Sequence, residues 1–292
     1  MNTTRIRSIG LGAVLALGLT ACSFGSGTDT GAAAPEPSLG TVSHVHGLGV
    51  DPSDRRLYVA THDGLFVVGQ NGAAEPAGPS HHDFMGFTVA GPKRFLASGH
   101  PASGAEGPGD LGLIESTDGG KTWKPRSLAG EVDFHALDHA HGTVYGYDST
   151  NALLRVSEDG VTWDDRARLQ ALDIAVDPEN PDTVLATTAD GIARSTDGGR
   201  TFAEGEPPAM AFLSWPGADA LYGIGDSGEL SRSADGGTTW QPAGTVPGGQ
   251  VQALTAVDAQ HVLAATESGV YESRDGGKSF TKRLVVHAGD GH

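Results

Sequence analysis

STDGGKTW, residues 116–123, is the stretch on which the fold turns. Asp118 can accept hydrogen bonds from backbone N–H groups just downstream, Gly119 and Gly120 supply positive φ, and Trp123 can open a strand. Four more copies follow: SEDGVTW (157–163), STDGGRTF (195–202), SADGGTTW (233–240) and SRDGGKSF (273–280). Their aspartates, Asp118, Asp159, Asp197, Asp235 and Asp275, are 41, 38, 38 and 40 residues apart. The second copy is one residue short but keeps its Asp, Gly, Thr and Trp. So even a period marks a repeat architecture, whose units must stack on one another to bury their apolar faces.

These segments resemble the Asp-box, or BNR, repeat of β-propeller proteins. The physics of the motif makes the five aspartates turn staples rather than catalytic acids. The aromatic that follows starts the next strand and can pack on a neighbouring sheet, and three of the four tryptophans, Trp123, Trp163 and Trp240, occupy that place.

Between the boxes a second set of segments recurs. HVHGLGVDP (44–52), DFMGFTVAG (83–91), DFHALDHAHG (133–142), ALDIAVDP (171–178), MAFLSWPG (210–217) and VQALTAVD (251–258) read as six first strands, each followed by an apolar second strand and a third that leads into the box. Six units of four short strands predict an all-β chain, a six-bladed β-propeller with Asp-box turns. The expected blades run over about 41–79, 80–130, 131–170, 171–206, 207–247 and 248–286, the propeller as a whole over 41–286. The first blade lacks a box, and the second is lengthened by HPASGAEGPGDLG (100–112).

The N-terminal segment bears on location. Residues 1–22 join a short basic stretch, Arg5 and Arg7, to an apolar run ending in Leu-Thr-Ala-Cys, the plan of a signal peptide. The ending resembles the lipobox of bacterial lipoproteins, which implies lipidation of Cys22, the single cysteine, and anchoring of the exported protein to the outer face of the cytoplasmic membrane. Residues 23–40 are small, polar and rich in Gly and Pro, the composition of a flexible tether, and residues 287–292 form a tail. The net charge is −17, and loss of the signal segment with its two arginines makes it more negative. Such a chain repels nucleic acid and draws in cations.

The histidines are distributed unevenly. Nine of twelve lie between His44 and His141. In a propeller the first strand of each blade lines the central channel, and its start shares a channel mouth with the end of the second strand. The Asp boxes then lie at the opposite face. Aligning the first strands sets His46, Met85, His135, Asp173, Ala211 or Phe212, and Gln252 at equivalent positions. Two residues earlier, on the same face, stand His44, Asp83 and Asp133. Aligned ends of the second strands are His62, His100, Asp148, Asp190, Asp226 and Glu267. His44, His46, His62, Met85, His100 and His135 are therefore the expected ligands of a metal ion at one mouth. Imidazole with thioether and no thiolate favours copper, with zinc the alternative served by the imidazoles alone. His139, His141 and His261 are expected at the far end, the first two as surface residues, and His287 and His292 in the tail.

The resemblance also raises enzymes, since Asp-box propellers include sialidases, other glycosidases and exported glycosyl-hydrolase-like proteins. It implies three arginines and a Tyr–Glu pair for a sialidase, yet no aligned channel position is Arg, Tyr58, Tyr145 and Tyr222 fall mid-way along second strands, and Tyr147 and Tyr271 have no evident Glu partner. A generic glycosidase needs two carboxylates across a cleft, for which Asp133, Asp173, Asp226 and Glu267 are candidates, and an exposed aromatic platform, for which only Trp215 remains. Non-catalytic propellers of this kind serve as assembly factors or protein receptors. The expected reading is a monomeric, tethered metal-binding propeller without catalytic residues. The alternatives are a glycosidase or a protein- or glycan-binding module.

Overall fold

The computed structural model describes residues 40–287; the expected signal segment, Cys22 and almost all of the tether and tail lie outside the described residues. Every regular element among the described residues is a β-strand, and the strands form six sheets in chain order, the blades of a propeller. Blade one holds β2 (Val45–Val50), β3 (Leu57–Thr61), β4 (Gly64–Val68) and β5 (Ala74–Pro76). Blade two holds β6 (Asp83–Gly91), β7 (Arg94–His100), β8 (Leu113–Ser116) and β9 (Lys124–Ser127). Blade three holds β10 (Phe134–Ala140), β11 (Thr143–Asp148), β12 (Leu153–Ser157) and β13 (Asp164–Arg168).

Blade four has three strands, β14 (Ile174–Val176), β15 (Val184–Thr188) and β16 (Gly191–Ser195), and its expected fourth strand shrinks to one bridge, Ile192 to Glu206. The next residues are Pro207 and Pro208, which have no N–H to extend a ladder. Blade five is β17 (Phe212–Ser214), β18 (Leu221–Ile224), β19 (Glu229–Ser233) and β20 (Gln241–Thr245), and blade six is β21 (Val251–Ala256), β22 (Val262–Thr266), β23 (Gly269–Ser273) and β24 (Thr281–Val286).

Residues 41 and 42 depart from the expected boundary of blade one. They form β1 (Thr41–Val42), which pairs parallel with β24 and becomes the outermost strand of blade six. β1 thus closes the ring and covers an edge that would otherwise present unpaired backbone groups.

Six apolar clusters hold the blades together, one per seam. Tyr58, Leu65, Phe84 and Phe95 join blades one and two; Leu96, Leu113, Phe134 and Val144 join two and three; Tyr145, Leu154, Ile174 and Val184 join three and four. Leu185 with Leu213, Tyr222 with Val262, and Leu263 with Leu48 serve the other three seams. Because blades stack face to face, the second strands are covered on both sides, and LYVAT of β3 is buried at every residue. That is why these strands read as unbroken apolar runs. The outermost strands, such as DDRAR of β13, are largely exposed and polar.

The Asp boxes lie at the turns between third and fourth strands, and each is wired alike. Ser195 Oγ donates to Asp197 Oδ1 at 2.8 Å and accepts the Gly199 N–H at 2.8 Å; Asp197 also accepts the Thr201 N–H at 2.9 Å and the Thr201 hydroxyl at 2.7 Å. Asp118, Asp159, Asp235 and Asp275 make the same pattern with their own serine and Thr or Ser. The five serines are all at most 2 % exposed, so the box is anchored in the blade by a buried hydroxyl. Gly199 has φ +85°, and a Cβ there would overlap Leu154 of the preceding blade. The box aromatics fill seams: Trp123 stacks 5.0 Å from Phe84 and Trp163 4.9 Å from Phe134.

Candidate metal centre

The innermost strands carry a shared irregularity. The ladder between first and second strands slips by one residue at His46, Met85, His135 and Gln252, so each of these is the extra residue of a β-bulge. A bulge re-aims the unpaired side chain, and these four occupy the same place in their blades. Second-strand positions were less regular. Asp148, aligned with His62 by sequence, pairs instead with Phe134, one step inside the blade; it is 0 % exposed and binds Arg155 at 3.2 Å and Asn151 at 2.9 Å. A one-residue difference in register moved it from the mouth to the interior.

Two separate groups stand at the mouth. In the first, His46 comes from the bulge of β2, His62 from the turn after β3, and Asp83 from the first residue of β6. His46 Nε2 lies 3.3 Å from His62 Nδ1 and 3.2 Å from its Nε2, and His62 Nδ1 is 2.8 Å from Asp83 Oδ1. One ligand atom from each of the three falls within 4.8 Å of the others. His44 packs beside them, its ring centroid 4.8 Å from that of His46 and 5.3 Å from that of His62. Burial, and then the neighbouring imidazoles His62, His44 and His135, hold His46 down to about 3. His44 is lowered as well, by burial first and then by His62. His46 is therefore neutral at ordinary pH and keeps a lone pair for a metal.

The second group joins blades two and three. His135 Nε2 is 2.8 Å from Asp133 Oδ2, and His100 Nε2 is 3.5 Å from the same oxygen. Asp133 is only 5 % exposed, and its hydrogen bond, more than any other influence, raises the pKa of His135. His100 Nδ1 faces Gly109 O at 3.2 Å and Asp110 Oδ1 at 3.4 Å, both in the insertion of blade two. Met85 sits half-buried at the bulge of the blade between the groups. Five of the six expected ligands are thus divided between two places with Met85 in neither, and Asp83, aligned in sequence but not counted as a ligand, joins the tighter one.

His46 and His135 line one cavity of about 530 Å³, the channel, which also reaches His139 and His141. Of the latter two, His139 is not a plain surface residue, being half-buried with a pKa lowered by burial and Arg94, whereas His141 is exposed as expected, its Nε2 2.8 Å from Asp177 O. His261 is buried, 2.8 Å from Glu272, which also pairs with Arg274 and Arg283.

The carboxylates and aromatics proposed for sugar chemistry are differently employed. Asp173 Oδ2 accepts the Leu213 N–H of the next blade at 2.8 Å, and burial pushes its carboxyl up to about 7. Glu267 accepts the Gln250 N–H at 3.3 Å. Trp215 is 9 % exposed in the seam between blades four and five, not a surface platform, and all five tyrosines are buried. Among the described residues the exposed large apolar side chains are Val161 and Leu172.

The BNR/Asp-box repeat family matches residues 114–125, over the first box. No curated protein matches the chain. Among solved structures, the GH74 enzyme of Niastella koreensis is similar with a TM-score of 0.60 and 18 % identity, over 86 % of this chain and 46 % of that one. The GH74 xyloglucanase of Xanthomonas campestris gives 0.56 and 16 %, over 85 % and 46 %. YCF48 from Cyanidioschyzon merolae gives 0.51 and 16 %, over 84 % and 86 %. The chain spans less than half of each of these GH74 enzymes, and at such identities the likeness is one of fold: a β-propeller with BNR repeats.

Proposed function

We propose that this chain is an exported β-propeller, tethered through a lipid on Cys22, that holds a transition-metal ion at one mouth of its channel. The observation that carries the reading is the convergence of His46, His62 and Asp83, whose donor atoms lie within 4.8 Å of one another. Two imidazoles and a carboxylate without thiolate suit Cu²⁺ and Zn²⁺, and the general affinity order sets copper above zinc. The net charge of −17 favours cation capture. The role is retention or buffering of the ion outside the cytoplasm, with no substrate turned over.

The test is metal content and calorimetric titration of the purified chain carrying His287→Ala and His292→Ala, which remove tail binding. One tight equivalent of copper or zinc, lost in His46→Ala/His62→Ala while the thermal transition persists, supports the proposal; equal uptake by both proteins sinks it. Loss of radiolabelled palmitate incorporation in Cys22→Ser tests the anchor. A protein-binding role is the second reading, favoured by the likeness to YCF48 bound to D1 peptide, where 93 % of that chain is covered at a TM-score of 0.55 and 13 % identity. A glycosidase reading draws on the GH74 likeness alone and lacks an exposed aromatic platform among the described residues.

A further inference from the structure

A glutamine from the last blade determines what His44 can offer the metal site. Gln252 Oε1 accepts the N–H of Val45 at 3.0 Å. A backbone N–H can only donate, so the amide is oriented and its NH₂ must face the other way. That nitrogen is 2.9 Å from His44 Nδ1. An amide NH₂ has no acceptor capacity, so Nδ1 is the acceptor and the ring proton resides on Nε2. A neutral imidazole has one lone pair for a metal, and in His44 it is engaged by Gln252. What His44 can bring to the rings of His46 and His62, 4.8 and 5.3 Å away, is an N–H.

We infer that His44 is not a ligand but a hydrogen-bond donor to a coordination position that His46, His62 and Asp83 leave open, and that this position takes a small exogenous donor such as water, hydroxide or azide. The inference rests on the metal reading above and refines it. Three protein ligands with one exchangeable position distinguish an open site, which can take up and release a small donor, from a closed structural one. Outer-shell partners of this kind set ligand orientation and are worth roughly 10–100-fold in affinity.

The inference is tested on the full chain with His287→Ala and His292→Ala. In the metal-free protein, long-range ¹H–¹⁵N correlation should show His44 Nδ1 as pyridine-type and Nε2 as pyrrole-type; the reverse pattern overturns the assignment. With one equivalent of Cu²⁺, pulsed EPR should count two coordinated imidazoles, and a count of three overturns it. Azide should bind the copper protein about tenfold more weakly in His44→Ala, at the lower end of outer-shell effects; unchanged azide affinity counts against the donor role. Gln252→Glu is the converse test. Its carboxylate still accepts from Val45 but cannot donate to His44, so the ring proton shifts to Nδ1 and the Nε2 lone pair is freed. Three coordinated imidazoles and tighter copper binding are expected there, and an unchanged count of two overturns the role given to Gln252. Failure of the wild type to take up copper or zinc overturns the metal reading and this inference together, whereas uptake through three imidazoles overturns this inference alone.

Discussion

Gln252 Oε1 and the amide nitrogen of Val45 stand 3.0 Å apart across 207 residues of chain, and their hydrogen bond ties the innermost strand of the last blade to that of the first. Val45 is 0 % exposed, so its N–H has no recourse to water. Gln252→Leu keeps the bulk of the side chain and removes the acceptor. An expected loss of about 1–3 kcal/mol follows from leaving a buried donor unpaired, and urea denaturation of the variant measures it.

The outer edge of the same junction is closed by β1. Its carbonyls at Gly40 and Val42 accept the N–H groups of Val285 and His287 at 3.0 Å each. A chain starting at Ser43 loses these bonds together with Val42, which is 4 % exposed in the seam between blades six and one. It should melt at a lower temperature and associate through the bared edge of β24. Scanning calorimetry and light scattering report the two effects, and an unchanged melting temperature would deny β1 its closing role.

The Asp boxes make a prediction in acid. Hydrogen bonds from Thr201, backbone first and then side chain, hold Asp197 at about 2, and Asp235 and Asp275 are held at about 2 by Thr239 and Ser279. An unfolded aspartate titrates near 3.9. A folded pKa below the unfolded one contributes stability that is fully present above about pH 4 and is lost as pH falls through about 2. The urea midpoint should therefore drop steeply between pH 4 and pH 2. In Asp197→Asn that drop should be shallower, with a lower plateau at neutral pH.

Asp173 has the opposite sign. Its folded carboxyl titrates at about 7, above the unfolded value, because the blade surrounds it. Between about pH 4 and pH 7 the unfolded chain gives up this proton while the folded chain keeps it, so stability declines as pH rises across that window. Asp173→Asn retains an acceptor for the Leu213 N–H and abolishes the decline. The variant should gain on the wild type from pH 4 to pH 8, and a constant difference across that range would contradict the assignment.

Gly199 tests the close approach of box to neighbouring blade. At φ +85° an L-residue is strained by about 1–2 kcal/mol, and overlap of a new Cβ with Leu154, itself 0 % exposed, adds overpacking of about 1–3 kcal/mol. Gly199→Ala should therefore destabilise by several times what Gly217→Ala does, since nothing lies within 4 Å of a Cβ at Gly217. Paired denaturation curves decide the comparison.

The propeller was legible in the residues because its organising unit is local. Each box satisfies Ser, Asp, Gly and Thr within a few positions of one another, so five copies at near-even spacing announce five equivalent turns, and the apolar second strands report burial on both faces. The aspartates could be assigned to turns from the same local chemistry. Aligning the repeats also set His46, Met85, His135 and Gln252 at equivalent positions, while the bulge that each of them makes came only from the pairing of the strands.

The grouping at the mouth was not legible in that way. His46, His62 and Asp83 meet because two blades lean together, and His44 is directed by a glutamine from a third. Asp148 left the mouth through a single step of register, and the partners of His100 and His135 turned out to be Asp133 and an insertion loop. Repeat period and residue type carry the fold, since a turn needs only its own residues to form. Which side chains share a site depends on contacts between blades far apart in sequence and on one-residue shifts that reverse where a side chain points, and those are set when the ring closes.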